Sequence, residues 1–109
     1  MIHFVSGGRQ YGKTRRMIQM AAEKHAYIVC PNRRQVLHIA DAAEAMGVQI
    51  PFPMTWSEFT RHEYYGPGVR GFVIDNLDQC IQQMTSIPIL GASLPPVDRI
   101  ELPESETAE

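Results

Sequence analysis

The sequence predicts an α/β fold, a three-layer α/β/α sandwich with a mostly parallel sheet of about five strands. Short apolar runs alternate along the chain with segments whose apolar residues recur at helical spacing. The runs are continuously apolar, which is typical of parallel strands that are buried on both faces. Glycine, proline and asparagine separate these segments. With 109 residues the chain suits one domain of common size.

The first half of the chain contains two strands and two helices. "IHFVS" and "AYIVC" are predicted to be buried strands, and a helix is expected from about Lys13 to His25 between them. A second helix is predicted over residues 31–47, with Asn32 as its N-cap and Gly47 as the left-handed residue that ends it.

Prolines and glycines divide the second half into shorter elements. "VQIPFP" is predicted to be a short edge strand, and a helix follows in which Thr55 and Glu58 match a capping box. "RGFVID" is a third strong strand, "NLDQCIQQM" a short helix and "IPILGAS" a last strand. We expect one domain over residues 1–96 and an acidic, flexible tail over residues 97–109.

The charge is unevenly distributed, although the net charge is only −2. Basic residues dominate positions 1–34, where they favour a phosphate-bearing or nucleic-acid partner. No apolar run approaches the roughly 20 residues of a membrane helix, and the N-terminus does not resemble a signal peptide, so we expect a cytoplasmic protein without membrane contact. Cys30 and Cys80 stand apart and are expected to be reduced and buried.

The chemistry begins at "GGRQYGKT", which fits the phosphate-binding pattern G-x-x-x-x-G-K-[ST]. The glycines allow successive backbone N–H groups to point at one anion, and the following helix directs its positive N-terminus at it. Lys13 can reach the β- and γ-phosphates of a nucleoside triphosphate, and the Thr14 hydroxyl can bind Mg²⁺. The predicted nucleotide-binding residues are Gly7, Gly8, Arg9, Gln10, Tyr11, Gly12, Lys13, Thr14 and Arg15.

A magnesium site of this kind needs an acidic residue at the end of another buried strand. Asp75 ends "FVID", which is the only predicted strand that runs into a carboxylate. We therefore predict that Asp75 and Thr14 hold Mg²⁺ and that Lys13 and Asp75 are the catalytic residues. A helix-capping role is the alternative for Asp75.

With these two motifs, the chain resembles P-loop NTPases of the additional-strand, RecA-like type. It is most similar to the first motor lobe of helicases and of the terminase ATPases that package phage DNA. "GGRQYGKT" is similar to their Walker A loop and "GFVIDNLD" to Walker B, while "AYIVCPNRRQ" and "IPILGAS" are weaker matches. The resemblance covers residues 1–96. It implies ATP and Mg²⁺ as ligands, a P-loop fold with the "IPILGAS" strand between the two Walker strands, and a phage or mobile-element origin.

Two departures from that family limit the activity that the resemblance implies. The family places glutamate, the general base, directly after the Walker B aspartate, where this chain has Asn76, which cannot accept a proton. Asp78, Glu58 and Glu63 are the alternative acids. We also expect no second lobe that would supply an arginine finger, since the resemblance covers only one lobe of the family's motor.

Three functions therefore remain open. The first is a weak or partner-activated ATPase, in which an oligomer or a partner protein supplies an arginine. The second is a regulatory module that binds nucleotide without hydrolysing it, and the third is a small nucleotide kinase with residues 66–71 as its lid.

Several exposed groups have both a functional and a structural interpretation. Arg15 and Arg16 can contact phosphate or act on a neighbouring subunit, but solvated helix charge is the better interpretation. Arg33 and Arg34 can contact a nucleic-acid backbone or form a plain surface pair. The aromatic residues of the helix after Thr55 can form a base-stacking platform, although core packing is favoured; they are Trp56, Phe59, Tyr64 and Tyr65.

Overall fold

The computed structural model describes residues 2–7, 10–64, 66, 68–95 and 99–102. The elements follow one another as β1 (Phe4–Gly7), α1 (Gln10–Lys24), β2 (Ala26–Cys30), α2 (Arg33–Met46), β3 (Met54–Thr55), α3 (Trp56–Thr60), β4 (Gly71–Ile74), α4 (Leu77–Gln82) and β5 (Arg99–Leu102). Each strand pair is parallel. The predicted α/β class is therefore confirmed.

The strands form two sheets rather than one. β2 lies between β3 and β4 in a three-stranded sheet, and β1 pairs separately with β5. In the larger sheet Tyr27 is the register partner of Phe72, and Val29 is the partner of Ile74. The prediction of a single sheet of about five strands is thus not met by the described residues.

The predicted strand "IPILGAS" accounts for this difference. Residues 88–95 have no regular secondary structure, and Leu90 is 95% exposed. The side-chain amide of Gln82 donates to the carbonyl of Ile87 at 3.0 Å and accepts from the N–H of Ile89 at 2.8 Å. Pro88, between them, has no N–H to donate. The backbone groups that a strand would offer to its neighbour are therefore held by a side chain, and the prediction of a strand here is wrong.

β5 was not predicted from the sequence. Arg99–Leu102 lies within residues 97–109, the segment expected to form a flexible tail, and it pairs with β1 from Phe4↔Arg99 to Gly7↔Leu102. Residues 96–98 and 103–109 lie outside the described part of the chain.

One face of the three-stranded sheet packs against α1 and α2. Ile18 and Ala21 of α1, Ile28 and Cys30 of β2, and three residues of α2 form the buried core; the α2 residues are Val36, Ile39 and Ala43. These side chains recur at helical spacing, which is why α2 presents one apolar face to the sheet. Cys30 and Cys80 are free and buried, as the sequence predicts.

The opposite face of the sheet contacts α3 through aromatic side chains. The ring of Phe72 in β4 packs edge-on with Phe59 of α3 and with Tyr64, each at a centroid distance of 4.9 Å. Tyr27 of β2 lies beside Phe72 with their rings 16° from parallel. Since neighbouring strand residues point to opposite faces, this cluster and the apolar core lie on different sides of the sheet.

The predicted helix caps are largely confirmed. The Asn32 side chain accepts from the N–H of Gln35 at 2.9 Å, and Gly47 adopts the left-handed conformation with φ 69°. Thr55 and Glu58 form the predicted capping box. The first helix, however, begins at Gln10 rather than near Lys13, and it ends at Lys24, before His25 turns the chain at φ 56°. Among the described residues no helix is long and apolar enough to cross a membrane.

Two side chains of α2 test this arrangement of the core. Ile39 is fully buried and Leu37 is 47% exposed on the same helix. We expect Ile39→Ala to lower the free energy of unfolding by about 2–5 kcal/mol, because it removes transfer free energy and leaves a cavity. Leu37→Ala is the control and should change it by about 0.5 kcal/mol or less. Urea unfolding measures both; equal losses would contradict the assignment of the buried face.

Candidate phosphate-binding site

Asp75 lies where β4 leaves the sheet. β4 ends at Ile74, and the N–H of Asp75 donates to the carbonyl of Val29 at 2.8 Å, which extends the ladder by one residue. This register places Asp75 beside Cys30, whose side chain belongs to the core between the sheet, α1 and α2. The Asp75 side chain is 7% exposed. A carboxylate therefore stands at the carboxyl edge of the sheet, in the wall of the core.

Groups from both covering helices surround this carboxylate. The Gln35 side chain of α2 donates to Oδ2 of Asp75 at 3.1 Å. Burial raises the pKa of Asp75 above its usual 3.8, while the Gln35 hydrogen bond, the nearby charges of His38 and Lys13, and the N–H of Asn76 act in the opposite direction. Burial prevails. The charge of Lys13, in the glycine-rich segment, is thus among those that act on the pKa of Asp75.

The glycine-rich segment itself spans the junction between β1 and α1. Gly7 ends β1, Gly8 and Arg9 lie outside the described residues, and the other predicted members belong to α1; these are Gln10, Tyr11, Gly12, Lys13, Thr14 and Arg15. The predicted phosphate-binding loop does not extend to Lys13, because α1 begins at Gln10 and residues 10–14 are helical. Gly12 lies inside the helix, where glycine costs about 1 kcal/mol relative to alanine.

The first turn of α1 supplies unpaired backbone donors. The initial N–H groups of any α-helix have no partner within it and carry partial positive charge. In α1 these groups belong to the glycine-rich segment, and no acidic side chain occupies the first turn. Lys13 is half-buried and Thr14 is 3% exposed. Donors, a cation and a hydroxyl therefore occupy one helix end, a combination that suits a phosphate.

The two arginines that follow are not fully solvated. Arg15 and Arg16 are both half-buried, and Nε of Arg16 is buried without a hydrogen-bond partner in the described structure. Buried polar groups normally have a partner, so an unmatched guanidinium nitrogen is an exception that needs an explanation. The interpretation of this pair as solvated helix charge does not fit that burial.

Asn76 adopts a left-handed conformation with φ 51° and ψ 60°. It caps α4 through its backbone, since its carbonyl accepts from the N–H groups of Gln79 and Cys80 at 3.0 and 3.1 Å. Its side chain makes no capping bond. Asparagine tolerates this backbone conformation better than most residues, which gives a structural reason for asparagine at this position.

Two of the three alternative acids are engaged elsewhere. Oε1 of Glu58 accepts from the N–H of Thr55 at 2.8 Å in the capping box of α3. Glu63 forms an exposed ion pair with Arg61 at 3.1 Å. Asp78 is exposed in the first turn of α4. Within the described part of the chain, Asp75 is therefore the one acid that the fold buries at this edge.

Sequence reasoning missed several groups that surround Asp75. Gln35 of α2 donates to its side chain, His38 of the same helix acts on it through charge, and the Cys80 thiol donates to its backbone carbonyl at 3.4 Å. Burial, and next the charge of Asp75, raise the pKa of Cys30 and of Cys80 to about 12, so both thiols stay protonated. The sequence did contain one indication of Gln35. The helix α2 begins just after β2, and β2 and β4 end at the same edge of the sheet, so the first residues of α2 lie near Asp75.

The donor set agrees with magnesium rather than with a softer metal. Mg²⁺ binds one or two protein oxygens and completes its shell with water and phosphate oxygens, and Thr14 and Asp75 are oxygen donors of this kind. Among the described residues no group of three histidine, cysteine or acidic side chains could form a closed metal site. No known protein family, curated protein or solved structure matches the chain.

The burial of Asp75 predicts how stability depends on pH. Because its pKa is raised from 3.8 on folding, the native state binds the proton more tightly than the unfolded state. This tighter proton binding stabilises the native state to its full extent below pH 3.8. The stabilisation is lost as the pH rises through the raised pKa that Asp75 has in the native state. Asp75→Asn should therefore increase the free energy of unfolding at neutral pH, and the gain should vanish below that window.

Urea unfolding between about pH 3 and pH 7 measures this difference. Asp41→Asn is the control, because it removes an exposed carboxylate from α2 and reports the effect of one lost charge. An Asp75→Asn protein that is less stable than the parent at neutral pH would show that the carboxylate is stabilised in its ionised form.

Proposed function

We propose that this protein binds ATP and Mg²⁺ in the manner of a minimal P-loop NTPase. The observation that carries the proposal is that α1, which holds Lys13, packs against β4, which ends at the buried carboxylate of Asp75, and that the charge of Lys13 acts on the pKa of Asp75. The two residues are 62 positions apart in the sequence, and the packing of α1 against β4 brings their elements together. α1 contacts β1 of the smaller sheet and β2 and β4 of the larger one, and on this basis we propose the P-loop architecture as the finer fold.

Each side chain has a definite task in this proposal. The N–H groups at the start of α1 bind the β-phosphate, and Lys13 donates to the β- and γ-phosphate oxygens. The Thr14 hydroxyl and the Asp75 carboxylate hold the metal, with Gln35 fixing the orientation of that carboxylate through its hydrogen bond. Mg²⁺ supplies neutralisation of phosphate charge. Arg15 lies one turn from the first N–H groups and contributes positive potential.

Hydrolysis would transfer the γ-phosphoryl group to water, with Lys13 stabilising the charge that develops on its oxygens. The weak point is the base. Asn76 cannot accept a proton, Glu58 is engaged in a helix cap, and Glu63 is paired with Arg61. We therefore propose slow or partner-activated turnover, in which a second copy or another protein supplies the acid or the arginine. A regulatory module that binds without hydrolysis is the second candidate, favoured by the same observations.

The kinase alternative has less support. Its expected lid, residues 66–71, leads into the amino end of β4 at Gly71, whereas Asp75 follows the carboxyl end of that strand. A lid over the γ-phosphate would have to stand at the other end. Nucleic acid as a partner, a cytoplasmic location and a phage origin stay proposals that rest on the basic residues of the front half and on the family resemblance.

ATP binding tests the proposal directly. We expect Lys13→Ala to weaken Mg²⁺-dependent ATP binding at least about tenfold, because a hydrogen bond to a charged group contributes about 1.5–3 kcal/mol. The matched control is Lys24→Ala, which removes the same side chain from the last turn of the same helix. Isothermal titration of both variants measures the change. A folded parent protein that does not bind ATP, or equal losses in the two variants, would refute the proposed site.

Phosphate release separates the two candidate functions. We expect the parent protein to bind ATP and to release inorganic phosphate from it at less than about 1 s⁻¹, the lower limit of typical turnover numbers. If single-stranded or double-stranded DNA accelerates the release and Lys13→Ala abolishes it, the partner-activated ATPase is supported. Tight binding with no release under any of these conditions would instead support the regulatory module.

A further inference from the structure

The second face of the three-stranded sheet displays aromatic and basic side chains at the end opposite Asp75. Tyr27 and Phe72 are register partners at the amino ends of β2 and β4, and their rings lie nearly parallel with centroids 6.3 Å apart. Tyr64 extends this ring pair at 4.9 Å from Phe72. We call these three residues the aromatic platform. Phe72 packs edge-on against Phe59 and Tyr64 and is still 38% exposed, so part of its ring surface stays accessible.

Basic residues lie directly beside the aromatic platform. The N–H of Arg70 donates to the carbonyl of His25 at 2.9 Å, which continues the pairing of β2 with β4 by one step beyond Ala26↔Gly71. The pair formed by His25 and Arg70 therefore precedes Tyr27 and Phe72 by two residues in each chain segment. Both basic side chains are exposed.

A cleft of about 420 Å³ opens at this end of the sheet. It is lined by Lys24 and Glu23 at the end of α1 and by His25 and Arg70. Two permanent cations face one carboxylate there, and the nearby Arg61 is neutralised by Glu63 at 3.1 Å. Tyr64 shares a hydrogen bond of 3.2 Å with His62, which orients the third ring of the platform. The local charge is thus positive next to an apolar aromatic surface.

We infer that this face binds single-stranded nucleic acid, with bases stacking on the aromatic platform and backbone phosphates contacting Arg70 and Lys24. Stacking on aromatic rings beside a positively charged groove is how proteins hold single strands without reading their sequence. A duplex keeps its bases stacked inside and cannot use the rings. The inference is independent of the proposed ATP site, because Asp75 follows the carboxyl end of β4, whereas Arg70 and Phe72 lie at its amino end.

The experiment measures binding of a fluorescent oligothymidylate of about 16 nucleotides to the full chain by anisotropy. We expect Phe72→Leu to weaken binding about tenfold, because one stacking contact is lost while an apolar side chain is kept. Phe52→Leu is the matched control, since Phe52 is the other exposed phenylalanine and packs under Arg33, away from the platform. Its affinity should equal that of the parent.

A second variant keeps the inference testable if Phe72→Leu is unstable. Arg70→Gln changes an exposed side chain and should lower the slope of log affinity against log salt by about 0.7, the value for one phosphate contact with a single strand. Arg34→Gln, at the start of α2, should leave the slope unchanged. Thermal melting confirms that each variant is folded.

Three outcomes would overturn the inference. In the first, Phe72→Leu and Arg70→Gln leave the affinity for the oligonucleotide unchanged, whereas Arg34→Gln or Lys13→Ala lowers it. The nucleic acid would then bind at the carboxyl edge of the sheet. The second is equal affinity for a duplex of the same length. The third is the absence of oligonucleotide binding together with a dimer that Phe72→Leu dissociates. If the parent protein binds the oligonucleotide but does not bind ATP, only the proposed function is contradicted.

Discussion

The parallel pairing of β2 with β4 is the constraint on which the rest of the structure depends. It runs from Ala26↔Gly71 to Val29↔Ile74, and one further hydrogen bond, from the N–H of Asp75 to Val29, extends it. That last bond fixes the backbone of Asp75 and turns its side chain toward α1 and α2. The same register that buries Ile28 and Val73 in the core therefore also buries a carboxylate, so the core and the candidate site cannot be separated.

Burying that carboxylate has a thermodynamic cost that only part of its surroundings offsets. One hydrogen bond from Gln35 and two neighbouring charges favour the ionised form, yet burial still raises the pKa. A ligand that binds the native state and not the unfolded state stabilises the protein by mass action. A bound cation would remove this electrostatic cost as well. In the function that we propose, the protein without a bound cation would therefore be less stable than the protein with one.

The sequence predicted those features whose cause is local or repeats along the chain. The capping residues Asn32 and Gly47 were recognisable because short-range hydrogen bonds and backbone conformation define them. The glycine-rich segment and Asp75 were recognisable as residues that follow buried strands. Lys13 acts on Asp75 although β1 and β4 lie in different sheets, so their interaction follows from the packing of α1 against β4 and not from a shared sheet edge.

The features that the sequence did not predict depend on contacts between distant residues. "IPILGAS" has the composition of a strand, but the Gln82 side chain holds its backbone groups, and no periodicity can show such a competition. β5 lies in an acidic segment and exists because β1 offers it an edge. Gln35 contacts Asp75 across 40 positions, so only the tertiary structure identifies it as part of the site.

The absence of a general base and the local backbone at Asn76 have one origin. The turn from β4 into α4 places residue 76 in the left-handed region, with its carbonyl accepting from Gln79 and Cys80. A glutamate in that conformation would cost about 1–2 kcal/mol, which asparagine largely avoids. A base at this position would therefore need a different turn as well as a different side chain. The chain keeps the turn, so in the ATPase that we propose the acid would be Asp78, which is exposed in the first turn of α4, or a group supplied by a partner.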